Sequence, residues 1–102
     1  MISKEKIALM KNDAVLINTA RGPIVDSIAL AEALNNGKIA GAAVDVFETE
    51  PPLPADHPLL HCPNTIVTPH IAFASVESME QRADIVFDNL YSWLEGKQRN
   101  AV

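Results

Sequence analysis

Three short apolar runs constrain this chain most: "AVLI" at 14–17, "IAGAAVDVF" at 39–47 and "TIVT" at 65–68. They are continuously apolar rather than alternating, which suits strands buried on both faces of a parallel sheet. Parallel strands need crossover connections, usually helices, because a tight hairpin cannot join them. The sequence between the runs supplies such segments. Ser3 to Met10 reads as a short helix with Ser3 as N-cap. "NTARGP" at 18–23 then breaks the chain, and Asp26 or Ser27 caps a helix running to about Asn36. Ile28, Leu30, Ala31 and Leu34 form its apolar face, and Gly37 stops it. "ETEPPLPADHPLLHCPN" at 48–64 holds five of the seven prolines and reads as an irregular loop. Ser75 to about Gly96 reads as a long amphipathic helix, with Val76, Met79, Ala83, Val86, Phe87, Leu90, Tyr91 and Leu94 at three- and four-residue steps. These apolar residues read as core. The expected fold is α/β: about half of a doubly wound parallel sheet with helices on both faces and at least one edge uncovered.

Composition narrows the function classes. With 102 residues, 48% apolar and 21% charged, the chain suits one small globular domain. A net charge of −5 and the lack of any Lys/Arg stripe argue against a nucleic acid or an anionic membrane as partner. No apolar run is long enough to span a bilayer, and no secretory signal opens the chain. The single cysteine, Cys62, has no partner for a disulfide, which fits a reducing, cytoplasmic setting. The three histidines lack ligand-like spacing and Cys62 lacks a second cysteine, so no metal site is expected.

In open parallel sheets, ligands bind beyond the carboxyl ends of the strands. After "AVLI" come Asn18, Thr19 and Arg21. After "GAAV" come Asp45 and, in the loop, Glu50. After "TIVT" comes His70. Parallel pairing gathers a guanidinium, two carboxylates and an imidazole on one rim, although Arg21 and His70 lie 49 positions apart. Arginine offers a planar fork that matches a carboxylate bidentately. Histidine suits proton transfer near neutral pH, and a carboxylate on its far ring nitrogen fixes the tautomer and favours the imidazolium. Together these groups would bind a small acid and move one proton, half of a hydride transfer whose other half needs a cofactor. Each residue also has a plainer reading. His70 alone could be an ordinary strand-end residue, Arg21 a solvated charge, Glu50 loop composition and Asp45 a strand terminator. His57 and His61, in the proline-rich loop, read as surface residues.

The motifs "LINTARGPIVD", "AGAAVDVFETEPP" and "PNTIVTPHIAFAS" closely resemble the D-isomer-specific 2-hydroxyacid dehydrogenases, from about Ile2 to the last helix. The resemblance implies the C-terminal half of a Rossmann-like sheet at 1–74. It also implies a long C-terminal crossover helix at 75–102 that returns to a substrate domain. It implies that Arg21 binds the substrate carboxylate and keto groups, that His70 exchanges the proton at the substrate oxygen, and that Glu50 pairs with His70. Asp45 would hold the carboxamide of the nicotinamide, and Thr19, Ala20, Arg21, His70, Ile71 and Ala72 would complete the cofactor contacts. The implied cofactor is NAD or NADP, of which this chain would meet only the nicotinamide end. With Gly22, Gly37, Gly41 and Gly96 alone, no G-x-G-x-x-G phosphate loop can be built. The chain is therefore expected to be a fragment, inactive by itself. "Ala-Phe" at 72–73 tilts the substrate towards the lactate or glycerate type. A homodimer, formed by exchange of the last helix, is the expected assembly. The rival reading is a non-catalytic fragment or binding module of the same fold.

Overall fold

The computed structural model describes residues 1–49 and 52–100. It divides into two compact units, Met1–Ile71 and Ala72–Val102. The first contains helix α1 (Lys4–Ala8), strand β1 (Val15–Asn18), a 3-10 turn (Gly22–Ile24), helix α2 (Ser27–Asn35), strand β2 (Gly41–Val44), a second 3-10 turn (Pro58–Leu60) and strand β3 (Thr65–Val67). The second contains helix α3 (Val76–Leu94).

The three strands form one parallel sheet in the order β1-β2-β3, as the apolar runs predict. Its register aligns the strand ends: Asn18 pairs with Val44, and Val44 with Val67. The first two strands are shorter or shifted relative to the apolar runs. β1 takes in Asn18 and leaves out Ala14, and β2 keeps only the small-residue centre of 39–47.

One face of the sheet is the core. Leu16, Ala42 and Val44 cluster there with Ile7 of α1, with Leu30 and Leu34 of α2, and with Leu59. Ile17, Ala43 and Ile66 share a row on the other face. Ile17 and Ile66 are each 68% exposed, so burial within this unit is one-sided rather than two-sided. The reason is that α1, α2 and the second 3-10 turn all contribute to the same cluster.

Helix α2 begins at Asp26, whose carboxylate accepts a hydrogen bond from the Ala29 N–H at 2.9 Å. Ala29, Leu30, Ala31, Ala33 and Leu34 are buried, whereas Ile28 is exposed, against expectation. The alanines face the buried cluster, and the first-turn isoleucine falls on the outer side. Removing the cap in Asp26→Ala should lower the unfolding free energy of the intact protein by about 1 kcal/mol. Urea denaturation reads this directly.

The 48–64 segment is not wholly irregular. Leu59, only 1% exposed, anchors its 3-10 turn in the core. In the second unit, the Ser75 side chain caps α3 by accepting from the Ser78 N–H at 3.1 Å, and Gly96 follows the helix at φ 73°. No residue of α3 is buried, so its apolar stripe is not core in this chain. Helical spacing shows which residues share a face, not what covers that face. Among the described residues no helix is long and apolar enough to cross a membrane.

Candidate active site at the strand ends

The rim is built by backbone bonds that continue the sheet. The Asp45 N–H donates to the Asn18 carbonyl at 3.0 Å, and the His70 N–H donates to the Asp45 carbonyl at 2.9 Å. The ends of β1, β2 and β3 are thereby tied in sequence.

At the end of β1, Asn18 is buried and folds the turn that follows. Its side-chain oxygen accepts from the Ala20 N–H at 3.2 Å, and its amide donates to the Arg21 carbonyl at 3.0 Å. An asparagine side chain bonding its own backbone two residues on is a common turn-forming device. Thr19 and Ala20 are exposed within this turn. Arg21 is exposed too, and its guanidinium donates to the Ala20 carbonyl at 2.7 Å. Gly22 brings this turn against the residues that leave β2. A Cβ at Gly22 would lie 2.0 Å from the backbone carbon and oxygen of Phe47, and 2.5 Å from the Glu48 nitrogen.

His70 follows Thr68 and Pro69, with its backbone at φ 58°. That left-handed conformation is uncommon outside glycine, although histidine tolerates it better than most residues. Holding it costs on the order of 1–3 kcal/mol unless neighbours compensate. Asp45 is the neighbour that compensates. It is 3% exposed, and its carboxylate accepts from the Ile71 N–H at 2.9 Å and from the Thr68 hydroxyl. One buried residue thus fixes the backbone on both sides of His70.

Asp45, Thr68 and His70 also line a cavity of about 280 Å³. Its other walls are apolar for the most part: Val46, Phe47, Leu53, Leu60, Val67 and Pro69, together with Thr49. Thr49 and Leu53 bracket Glu50 in the sequence. Glu50 itself lies outside the described residues. Ala72 begins the second unit. Among the described residues, no group of three His, Cys, Asp or Glu could hold a metal ion.

Two contributors escaped the sequence reading. Thr68 reads as the last residue of a strand, but its hydroxyl, two residues before His70, donates to the Asp45 carboxylate. His57 reads as a surface residue but is not one: its side chain is 13% exposed. It is covered because the loop folds back on itself, with Phe47 meeting the ring edge-on at 5.2 Å between centroids. His61 is exposed, as expected, and its Nε2 lies 2.8 Å from the Ala55 carbonyl.

A sequence model described as "D-isomer specific 2-hydroxyacid dehydrogenase, NAD binding domain" matches residues 1–72, well over half of the chain. The chain belongs to that family. It is 48% identical over 102 residues to a glyoxylate reductase of Thermofilum pendens, covering 100% of this chain and 30% of that protein. To a hydroxypyruvate reductase of Blautia hydrogenotrophica it is 43% identical over 102 residues, covering 100% and 31%. Among solved structures, an NADPH-dependent glyoxylate/hydroxypyruvate reductase of Sinorhizobium meliloti superposes with a TM-score of 0.85 at 42% identity, covering 99% of this chain and 32% of that one. A D-lactate dehydrogenase of Lactobacillus jensenii, solved with NAD+, gives 0.85 at 38% identity, covering 100% and 34%. The chain spans about a third of the length of these relatives. A nicotinamide dinucleotide is the cofactor that the matched domain is named for.

Proposed function

We propose that this chain is the catalytic C-terminal part of an NAD(P)-dependent D-2-hydroxyacid dehydrogenase that interconverts a small 2-oxo acid and its 2-hydroxy acid. The observation that carries this reading is His70, held in a left-handed conformation by buried Asp45, on the wall of a mainly apolar cavity at the strand ends. Strained backbone held in place by its surroundings is found preferentially at functional sites.

The cavity's chemistry suits the nicotinamide end of the cofactor. A flat ring needs apolar walls and its carboxamide needs a polar partner, which Asp45 or Thr68 supplies on this wall. Thr19, Ala20 and Ile71 complete the contacts to the ring. When bound, the nicotinamide supplies or accepts the hydride. The protein's residues do the rest. The Arg21 fork grips the substrate carboxylate and orients the keto carbon. The His70 imidazolium gives its proton to the oxygen at that carbon during reduction, and the neutral ring takes it back during oxidation. Glu50 is the carboxylate to which the family resemblance assigns the task of keeping that proton available.

The names of the relatives, glyoxylate and hydroxypyruvate reductases, support short 2-oxo acids as substrates. On the same reading, residues 1–74 are the C-terminal half of the dinucleotide domain. Helix α3 then leads on to a substrate domain or, by exchange, to a second copy. Its unburied apolar residues, Met79, Phe87 and Leu90 among them, support either destination.

The test is consumption of NADH or NADPH by the complete protein with glyoxylate, hydroxypyruvate and pyruvate. Turnover with at least one acid is expected, and none with any acid would leave the binding-module reading. In the active protein, Arg21→Lys should raise the substrate KM about 10- to 100-fold, because a point charge replaces a bidentate fork. An unchanged KM would remove Arg21 from carboxylate binding.

A further inference from the structure

Thr68 stands between β3 and His70 and is fixed on two sides. Its N–H donates to the Val44 carbonyl at 3.1 Å, which carries the sheet one rung past β3. Its hydroxyl donates to Oδ1 of Asp45, the residue after Val44. The Ile71 N–H donates to that same oxygen at 2.9 Å. One carboxylate oxygen of a residue only 3% exposed thus takes two donors, one from each side of His70. The last torsion of an aspartate is soft, so a carboxylate held by one donor can still turn. Two donors converging on one oxygen restrain it. The Ile71 donor is backbone, in the turn after His70. The Thr68 donor is a side chain whose backbone the sheet holds in place.

The count of donors then decides what this part of the wall offers. Asp45 and Thr68 both line the cavity that holds His70. A carboxylate only accepts, and a threonine hydroxyl has one hydrogen, which here goes to Asp45. The pair presents acceptors and no donor. A carboxamide has an NH2 that donates and an oxygen that accepts, and such a patch takes the NH2. Of the two acceptors the charged one is the stronger.

We propose that Thr68 is a positioning residue for cofactor recognition: by donating its one hydrogen to Asp45, it sets the carboxylate to accept from the NH2 of the nicotinamide carboxamide. The proposal rests on the dehydrogenase reading, in which this cavity takes the nicotinamide. The action of Thr68 runs through Asp45. A carboxylate oriented before the cofactor arrives does not have to be ordered on binding, and affinity gains accordingly.

The hydroxyl can be removed with little else changed. Thr68→Val keeps the branched shape that suits a strand. Thr68→Ala removes the hydroxyl with less bulk and takes over if the first variant does not fold. Thr68→Ser keeps the hydroxyl. The experiment is calorimetric titration of the complete protein with NADH or NADPH, and with the matching 3-acetylpyridine dinucleotide, in which a methyl replaces the amide NH2. The wild type should bind the amide cofactor about 10-fold more tightly than the analogue, as one hydrogen bond to a charged acceptor provides. In Thr68→Val and Thr68→Ala, the Kd of the amide cofactor should rise about 10-fold while that of the analogue stays put, so that the preference disappears. Thr68→Ser should keep the wild-type preference. A hydroxyl that served the fold alone would lower the melting temperature and weaken both dinucleotides alike. Such equal weakening overturns the proposal, and so does a wild type without the preference, a preference that survives loss of the hydroxyl, or a Thr68→Ser variant that behaves as Thr68→Val does. Each of these leaves the dehydrogenase reading intact, provided the wild type oxidises NADH or NADPH with a 2-oxo acid. A wild type that neither binds nor oxidises either cofactor overturns that reading and the proposal together.

Discussion

Replacing His70 by asparagine should lower kcat of the complete enzyme by about 10²- to 10⁴-fold, the range over which a positioned acid-base group acts. Asparagine is the informative choice because the backbone at this position is left-handed, with φ 58°. Asparagine tolerates that region as histidine does, so the turn between β3 and the second unit should keep its course. The bonds that define the turn also persist. Asp45 still accepts from the Ile71 N–H, and its carbonyl still accepts from the N–H of residue 70. What is lost is the ability to carry a proton at neutral pH. Steady-state kinetics should therefore show a fall in kcat with the KM values for cofactor and acid changed much less, and thermal melting should move little. If turnover survives at more than a tenth of wild type, His70 is not the acid-base group. A collapse of melting temperature together with activity would instead make His70 a structural residue of the turn, and the strain at its backbone would need another explanation.

The architecture was legible because it follows from local patterns. Three continuously apolar runs separated by helical segments admit few arrangements other than a parallel sheet, and a parallel sheet brings its carboxyl strand ends to one rim. That reasoning alone placed Arg21, Asp45 and His70 at the ends of three neighbouring strands. What it missed depended on long-range closure. His57 looks like surface because nothing nearby in sequence announces that the loop will fold back to bring Glu48, Phe47 and Leu59 to its ring. The exposure of Ile28 turns on which face of α2 meets the buried cluster, which periodicity alone does not encode. The role of Asp45 was legible only in part. A carboxylate at a strand end was visible, but its grip on Thr68 and Ile71 depends on the left-handed turn at His70, and no residue type enforces that turn.

The second large effect is expected at Gly22, a residue with no chemistry of its own. Its backbone passes so close to Phe47 and Glu48 that an added methyl would sit 2.0 Å from the Phe47 carbonyl group. Both neighbours are backbone, so no rotamer change relieves the overlap, and one chain segment must retreat. Overpacking of this kind typically costs about 1–3 kcal/mol, and the absence of any yielding side chain puts Gly22→Ala at the upper end, about 3 kcal/mol. The retreat also has a direction. It separates the Arg21 turn from the start of the loop that follows Asp45, so the substrate KM should rise with the loss of stability. Gly37→Ala provides the control. Gly37 also has a positive φ, 63°, but nothing lies within 4 Å of where its Cβ would be. Its replacement should cost only about 1–2 kcal/mol, from backbone conformation, and should leave KM alone because the turn ends α2 away from the rim. Urea denaturation and substrate KM measured on both variants separate the two causes. Equal losses of stability with equal KM values would mean that the Gly22 contact is not what sets the Arg21 turn.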